Sequence, residues 1–343
     1  WKNVERFWRK GGAVIAVGAL PANSESAWPS KRVQEIGNEV FGKGEGPSVV
    51  TNAEGGAGVL LPTGMVSLVP RMIDALLERD AACADAKAPV KITHRRVEDH
   101  DVYFAINDSA AAWSGDLCFC GSGAAEQWDP ASGAMTPLKD AKKVAVQLGP
   151  YGAVLFRAKD IGEPRRLAGT VASNLALTCE PLPAAAKPTV GQGEFVRSSL
   201  SGDAAAGWCA AATLTKGQVD THLFMSFDYG QPLALEQGVG LMVESTVPEG
   251  QQTTAEMLVM LHTKDGADYV AGSGRYLNVA GTARSYLMFN RFALAGWSNP
   301  SAGALDLAKV VTIRIGWGGY FGREGEKVTL TAKPAQRFTC GAK

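Results

Sequence analysis

The stretch DVYFAIN, residues 101–107, decides the fold class of its region. Its side chains alternate: Val102, Phe104 and Ile106 on one face, Tyr103, Ala105 and Asn107 on the other. A period of two residues is typical of a β-strand. LCFCG (117–121), KKVAVQL (142–148) and GAVLFRA (152–158) are further short strand candidates separated by Gly, Pro and Asp. We therefore predict a small antiparallel β-sandwich over residues 98–172.

Residues 1–97 have a different pattern. AVIAVGALP (13–21) and GVLLP (58–62) are continuous apolar runs, as in parallel strands covered on both faces. Apolar residues at helical spacing predict a helix near the start of the chain and another over about residues 66–79. This pattern predicts an α/β segment. Two parallel strands cannot close a sheet, so we expect its missing strands to precede Trp1.

Strand candidates separated by turns, without intervening helices, also fill residues 190–343. They include HLFMSFD (222–228), RSYLMFNRF (284–292) and VVTIRIGW (310–317). This order is typical of a β-sandwich, and we predict a jelly-roll of the galactose-binding type. A Pro- and Ala-rich stretch, residues 173–189, is the expected linker. The predicted fold is thus multidomain and mostly β.

Composition excludes some classes of protein. The 343 residues carry 34 basic and 34 acidic side chains, so no basic surface is expected to bind nucleic acid. No apolar run approaches the roughly 20 residues of a membrane-spanning helix, so we expect no membrane span. The first residue is Trp1 rather than Met, and we interpret the chain as a fragment or a processed product.

Known catalytic motifs are also absent from the sequence. It has no phosphate-binding loop, HExxH, GxSxG or dinucleotide-binding pattern, and four histidines are scattered along it. The six cysteines lack zinc-site spacing, and most are predicted to be buried thiols. Cys179 and Cys340 bracket the last domain, and whether they pair is left open. We predict no catalytic residue and no metal ligand.

Four signatures in one order resemble a known family. They are FWRKGGAVIAVGALPANSES (7–26), the glycine-rich run before the strand at 58–62, ITHRRVEDHDVYFAIND (92–108) and AEQWDPASGAM (125–135). Together they resemble the region after the catalytic barrel in bacterial glycoside hydrolases similar to the family 106 α-L-rhamnosidases. The resemblance covers roughly residues 1–160 and implies that residues 1–97 are a partial flavodoxin-like α/β segment. It implies that the catalytic glutamates lie in a barrel upstream of Trp1.

AEQWDPASGAM raises a separate question, because Glu126 and Asp129 flank Trp128. Paired catalytic carboxylates must face each other across a bond. Nothing in this spacing directs both carboxylates at one point, whereas Asp-Pro followed by Ser-Gly is typical of a tight turn. We predict a turn.

The last domain contains residue types that bind sugars, namely aromatic rings that stack on sugar faces and polar groups that fix hydroxyls. The candidates are Tyr229, Tyr269, Arg275, Arg284, Tyr286, Asn290, Trp317 and Tyr320. The alternative is that Trp297, Trp317 and Tyr320 are core or turn-packing aromatics. Carbohydrate-binding jelly-rolls often hold a structural calcium ion, but no Asp- and Asn-rich loop in this sequence indicates a site, and no other cofactor is predicted.

We therefore interpret the chain as the non-catalytic C-terminal portion of an exported glycoside hydrolase. It would brace the upstream catalytic barrel and bind polysaccharide or oligosaccharide, in a secreted, periplasmic or cell-surface protein. One alternative is a structural or assembly protein whose sandwiches make protein contacts. Another is a glycosidase that is active in its own right.

Overall fold

The computed structural model describes residues 1–44, 46–85, 87–120, 124–140, 142–159 and 176–341. The chain forms two compact units. The first unit combines Trp1–Pro70 with Ala172–Lys343, and the second is Arg71–Val171. Strands of several antiparallel sheets dominate both units, which confirms the predicted fold class.

The start of the first unit is an α/β segment. Its elements are α1 (Lys2–Arg9), β1 (Ala13–Val17), α2 (Lys31–Phe41), β2 (Ser48–Thr51) and β3 (Ala57–Leu61). The next helix, α3 (Val69–Leu76), begins in the first unit and continues into the second. The sheet has the order β1-β3-β2, with β1 parallel and β2 antiparallel to β3. The sequence pattern did not predict β2 and α2. The chain itself therefore supplies three strands to this sheet, one more than the two parallel strands that were predicted within residues 1–97.

Local side chains explain both missed elements. The Asn52 side chain accepts hydrogen bonds from the backbone N–H groups of Glu54 and Gly56, which closes the hairpin between β2 and β3. Ser30 is the N-cap of α2, and its Oγ accepts from Val33 N–H at 3.5 Å. One apolar face of the sheet then packs under α1 and α2, around Trp8, Val40 and Phe41. The helix predicted over 66–79 is shorter, because residues 66–68 form a 3-10 turn and α3 ends at Leu76.

The second unit is a small β-sandwich. Its strands are β4 (Ala81–Cys83), β5 (Val90–Val97), β6 (His100–Asn107), β7 (Trp113–Phe119), β8 (Ala125–Trp128), β9 (Met135–Leu138), β10 (Lys143–Leu148) and β11 (Ala153–Lys159). One sheet has the order β10-β7-β4 and the other β5-β6-β11-β8-β9. The alternation in DVYFAIN holds, since Tyr103 and Ala105 are buried in the core between these sheets.

A larger sandwich completes the first unit. Its strands are β12 (Ala176–Pro181), β13 (Thr189–Gln192), β14 (Val196–Asp203), β15 (Gly207–Leu214), β16 (Val219–Asp228), β17 (Gly240–Val247), β18 (Glu256–Thr263), β19 (Asp268–Tyr276), β20 (Gly281–Met288), β21 (Ala293–Leu294), β22 (Val310–Phe321), β23 (Lys327–Ala332) and β24 (Gln336–Gly341). A seven-stranded sheet has the order β12-β24-β17-β23-β15-β14, with β20 also paired to β17. A six-stranded sheet has the order β13-β16-β22-β18-β19-β21. Their inner faces share one core, which includes Leu223, Val243, Ile315 and Trp317.

The strand β12 lies within residues 173–189, the stretch expected to be a linker. It pairs with β24, and Thr178 and Thr339 face each other with their hydroxyl oxygens 2.6 Å apart. In this ladder Cys179 lies opposite Phe338 and Cys340 opposite Leu177, so the two cysteines are not direct partners. The described residues contain no disulfide.

The α/β segment lies against the outer face of the seven-stranded sheet. A side chain at Gly64 would lie 2.6 Å from the carbonyl oxygen of Tyr286, and one at Gly46 would lie 3.1 Å from the Tyr286 hydroxyl. Glycine at both positions permits this close approach. Among the described residues, no helix combines the length and the apolar character needed to cross a bilayer.

Candidate functional site

A groove of about 770 Å³ lies on the outer face of the six-stranded sheet. Five neighbouring strands contribute residues to it: β13, β16, β22, β18 and β19. Because alternate residues of each strand point into the core, the groove is lined by the other half of each strand. The volume is in the range of pockets that bind small molecules or short chains.

The floor of the groove is apolar and flat. Phe224, Leu258, Met260 and Val270 provide the apolar surface, and Gly191 and Gly318 add no side chains above it. Asp220, His222 and Ser226 project from β16 along one side. A flat apolar floor beside polar groups suits a ligand that has both apolar faces and hydroxyl groups.

Trp297 is the aromatic wall of the groove. Its side chain is 67% exposed, yet its Nε1–H donates to Oδ2 of Asp268 at 2.9 Å. The following residue, Ser298, accepts a hydrogen bond from the backbone N–H of Asp268 at 2.9 Å. The polar edge of the ring is therefore fixed while its face stays open, so little side-chain entropy is lost on binding.

Asp268 collects the hydrogen bonds that position this end of the groove. It is 8% exposed, and its Oδ1 lies 2.7 Å from His262 Nδ1 and 3.0 Å from Nη1 of Arg314. Burial by itself would raise the pKa of Asp268, but hydrogen bonds from Trp297 and His262 and the charge of Arg314 outweigh it and lower the pKa. The carboxylate is thus held ionised and occupied by donors, which suits positioning rather than proton transfer.

Comparisons with known proteins identify carbohydrate-binding modules and glycoside hydrolases among similar structures. A family 11 carbohydrate-binding module from a cellulosomal cellulase of Clostridium thermocellum is 11% identical, with 48% of this chain and 95% of the module covered and a TM-score of 0.34. The same kind of module, in complex with a β-1,3-1,4-mixed-linked tetrasaccharide, is 9% identical over 50% of this chain and 98% of the module, with a TM-score of 0.34.

A rhamnosidase from Novosphingobium sp. PP1Y is similar over 96% of this chain, at 13% identity and a TM-score of 0.33. The chain spans 32% of the length of that enzyme. No protein-family model and no curated protein matches the chain. At these identities and TM-scores the likeness carries no functional argument, so the resemblance to family 106 stays a prediction.

Five of the eight sequence-predicted binding residues do not offer a ligand surface. Trp317 is fully buried and packs edge-on against Phe321, and Tyr269 is 3% exposed with its hydroxyl donating to the carbonyls of Gly303 and Ala304. The other three are Arg275, Tyr229 and Tyr286.

Arg275 and Tyr286 are buried, and Tyr229 is partly buried with its hydroxyl oxygen enclosed. Arg275 is buried and donates to Gly281 O, and burial lowers its pKa. Tyr229 packs against the core, and burial raises its pKa to about 12. Tyr286 lies under the α/β segment, and burial raises its pKa to about 12 as well.

The other three predicted residues are accessible but do not form one site. Arg284 pairs with Glu244 at 3.0 Å on the seven-stranded sheet, and Asn290 is exposed in a 3-10 turn after β20. Tyr320 is 77% exposed and lies opposite Asp220 in the β16–β22 ladder. Of the eight, Tyr320 therefore lies beside the groove.

Sequence reasoning missed the residues that form the groove. The sequence pattern predicts Trp297 only as a core or turn-packing aromatic, and it does not indicate Arg314, His222 or Asp220 as sugar-binding residues. A partial signal was present in DTHLFMSFD (220–228), where Asp220, His222, Ser226 and Asp228 are polar at alternate positions, interrupted by Phe224. The alternation indicates one solvent-facing side of β16, but it does not show which strands lie beside it.

The structure also bears on the turn at residue 129. The Asp129 carboxylate accepts from the backbone N–H of Ala131 and from the Ser132 hydroxyl, which together lower its pKa. Gly133 has a φ of 72°, as the predicted turn requires. Both oxygens of the Asp129 carboxylate thus accept hydrogen bonds from groups within the turn.

Metal binding remains a prediction. Among the described residues, no group of three or more His, Cys, Asp or Glu side chains could hold a metal ion. In the loops beside β18 and β22, the Lys309 ammonium lies 2.7 Å from Asp265 and 3.7 Å from Asp306. The ammonium group of Lys309 thus neutralises two carboxylates that would otherwise be available to a cation.

Proposed function

We propose that the six-stranded sheet of the larger sandwich binds carbohydrate in the groove beside Trp297. The observation that supports this function is the open indole face whose N–H is held by the buried Asp268. Sugar rings present apolar C–H faces that stack on tryptophan, and the adjacent Arg314, His222 and Asp220 offer hydrogen bonds to hydroxyl groups.

The length of the groove favours a chain over a single sugar. Arg314 and Tyr320 lie six residues apart on β22, which corresponds to about 20 Å along an extended strand. Trp297 lies near Arg314, at one end of this span, and Tyr320 is an exposed aromatic residue at the other end. A ligand that contacts both aromatics is an oligosaccharide or a segment of polysaccharide.

In this proposal the chain is a non-catalytic part of an exported glycoside hydrolase, and it holds polysaccharide near a catalytic barrel supplied upstream. Binding without catalysis agrees with the occupied state of Asp268, whose two oxygens already accept from Trp297, His262 and Arg314. The same proposal includes a secreted, periplasmic or cell-surface location, because a polysaccharide substrate would be encountered outside the cell.

Affinity electrophoresis of the full chain in gels containing neutral polysaccharides tests the groove. Trp297→Ala removes the stacking surface, and we expect it to weaken binding about tenfold or more, whereas Trp297→Phe keeps part of the surface and weakens it less. Trp28→Ala is the matched control, because Trp28 is 79% exposed in the α/β segment. Equal retardation of wild type and Trp297→Ala would exclude the groove as the binding site.

A further inference from the structure

The outer face of the six-stranded sheet, which holds the groove, carries more carboxylates than basic groups. Its strands present Asp220 and Asp228 of β16, Glu256 of β18 and Asp268 of β19, whose chain neighbours point into the protein. Among the described strand residues of this face there is one basic side chain, that of Arg314 on β22. The face is therefore locally acidic.

Arg314 offsets one of these carboxylates and no more. Its Nη1 lies 3.0 Å from Oδ1 of Asp268, so these two charges cancel within the protein. Within the part of the chain that the structure describes, Asp220, Asp228 and Glu256 form no ion pair. Three carboxylates are thus left without a basic partner.

One further basic residue lies at the edge of this face. Arg291 is exposed, and its Nη2 donates to the carbonyl oxygen of Gly272 on β19 at 3.1 Å. Three unpaired carboxylates and this one guanidinium leave a net charge of −2 while the imidazoles of His222 and His262 are neutral. The whole chain has a formal net charge of zero, so the excess of negative charge belongs to this face.

The three unpaired carboxylates flank the path of the proposed ligand. Asp220 lines the groove and lies opposite Tyr320 in the β16–β22 ladder, and Asp228 lies at the other end of β16. Glu256 lies on the far side, where its Oε1 would be 2.7 Å from a Cβ added at Gly272. A chain that follows the groove therefore passes negative charge at both ends and along one side.

Negative charge in this arrangement separates acidic from uncharged ligands. A polysaccharide with carboxylate or sulfate groups brings like charge to within about a Debye length, about 10 Å at 0.1 M salt, of the three carboxylates. Hydroxyl groups are not repelled, and they can donate hydrogen bonds to the same carboxylate oxygens. Repulsion of the wrong ligand is a common source of specificity.

We propose that the groove selects against acidic polysaccharides, so that its ligands are glycans without carboxylate or sulfate groups. This inference rests on the proposed function of the groove and adds the class of glycan. Stacking on Trp297 serves acidic and uncharged sugars alike, whereas the field of Asp220, Asp228 and Glu256 distinguishes them.

The test compares the same polysaccharide backbone with and without acid groups. Hydroxyethylcellulose and carboxymethylcellulose form one pair; mixed-linkage β-glucan and galactan, each before and after oxidation of its primary hydroxyls to carboxylates, form two more. Affinity electrophoresis of the full chain is run at pH 8, above the range in which histidine side chains usually titrate. At about 0.02 M salt we expect the uncharged member of a pair to bind about fivefold or more tightly than the acidic one. The difference should narrow at about 0.3 M salt, because salt screens the repulsion.

Three variants link this selectivity to the face. Asp228→Asn and Glu256→Gln each remove a charge but keep an acceptor for the N–H groups of Gly230 and Gly274. We expect each to raise the ratio of acidic to uncharged affinity about twofold to threefold at low salt, and the double variant to raise it further. Asp203→Asn is the matched control, because it removes the same charge from an exposed position on β14 of the seven-stranded sheet. The ratio should not change in the control.

Two results would overturn this inference while carbohydrate binding stands. One is an acidic member that binds as tightly as its uncharged partner or more tightly. The other is a ratio that Asp203→Asn raises as much as Asp228→Asn does, because the effect would then come from the total charge of the chain. If no member of any pair retards the wild-type chain, the proposed function of the groove fails, and this inference fails with it.

Discussion

Asp268 shows how one buried carboxylate organises an exposed ring. Its oxygens accept from Trp297, His262 and Arg314, and its backbone N–H reaches Ser298. Removing its charge leaves Arg314 without its partner and weakens the bond to the indole. The residue therefore acts on binding through Trp297, as a positioning residue.

We expect Asp268→Asn to lower the free energy of unfolding of the first unit by about 2 kcal/mol, the usual loss for hydrogen bonds to a charged group. It should also weaken glycan binding. The folded pKa of Asp268 lies below the ordinary value of about 3.9, so the unfolded chain takes up the proton first as pH falls. The contribution is present above about pH 4 and is lost as pH falls through the lower folded pKa.

Urea unfolding of wild type and Asp268→Asn between pH 3 and pH 7 measures this effect, and the difference between the two proteins should shrink toward the acid end. Asp220→Asn is the matched control, since Asp220 is exposed on the same sheet. A constant difference across the whole pH range would show that the charge of Asp268 is not what stabilises this end of the groove.

The tryptophans show the limit of sequence reasoning at this scale. VVTIRIGW places Trp317 on the same face as Ile313 and Ile315, so its burial could have been predicted from the alternation. Trp297 follows a two-residue strand in a loop. Its place depends on Asp268, 29 residues earlier, and no local pattern indicates that contact.

At the scale of elements, the strand β13 controls access to the groove. Gly191 lies in β13, and an added Cβ there would meet no atom within 4 Å. The space above it belongs to the groove. A side chain at this position therefore enters the ligand's volume without a clash in the fold.

We expect Gly191→Trp to abolish or strongly weaken glycan binding while the free energy of unfolding changes by less than about 0.5 kcal/mol. Binding is measured by affinity electrophoresis and stability by thermal unfolding. Gly149→Trp is the control, because Gly149 also has open space around its Cβ but lies in a turn of the second unit. Full binding by the Gly191 variant would place the ligand elsewhere.

Strands with clear alternation or continuous apolar residues were predictable, and short or polar ones were not. β6, β10 and β11 alternate, and β3 is buried along its whole length. The strand β2 has only four residues and is fixed by the hairpin at Asn52. Strand order across each sheet was not predictable either, because pairing partners such as β12 and β24 are far apart in sequence.

At the scale of the whole molecule, the two compact units have separate cores. The core of the larger sandwich includes Leu223 and Trp317, and that of the small sandwich includes Leu117 and Phe156. Two separate cores favour two cooperative unfolding transitions.

Differential scanning calorimetry should resolve these transitions. We expect Asp268→Asn to lower the midpoint of one only, and Leu117→Ala, which costs about 2–5 kcal/mol in a buried position, to lower the midpoint of the other. A polysaccharide bound in the groove should raise the first midpoint. A single transition that both substitutions shift would mean that the units unfold together.

The pairing of β12 with β24 has a consequence for biosynthesis. Thr178 and Thr339 are 161 residues apart, and β24 lies between β12 and β17 in the seven-stranded sheet. During synthesis on the ribosome, the backbone groups of β12 and β17 that pair with β24 stay unpaired until residue 341 has emerged. Premature termination before that point would leave two open strand edges, the kind of surface that recruits chaperones or aggregates.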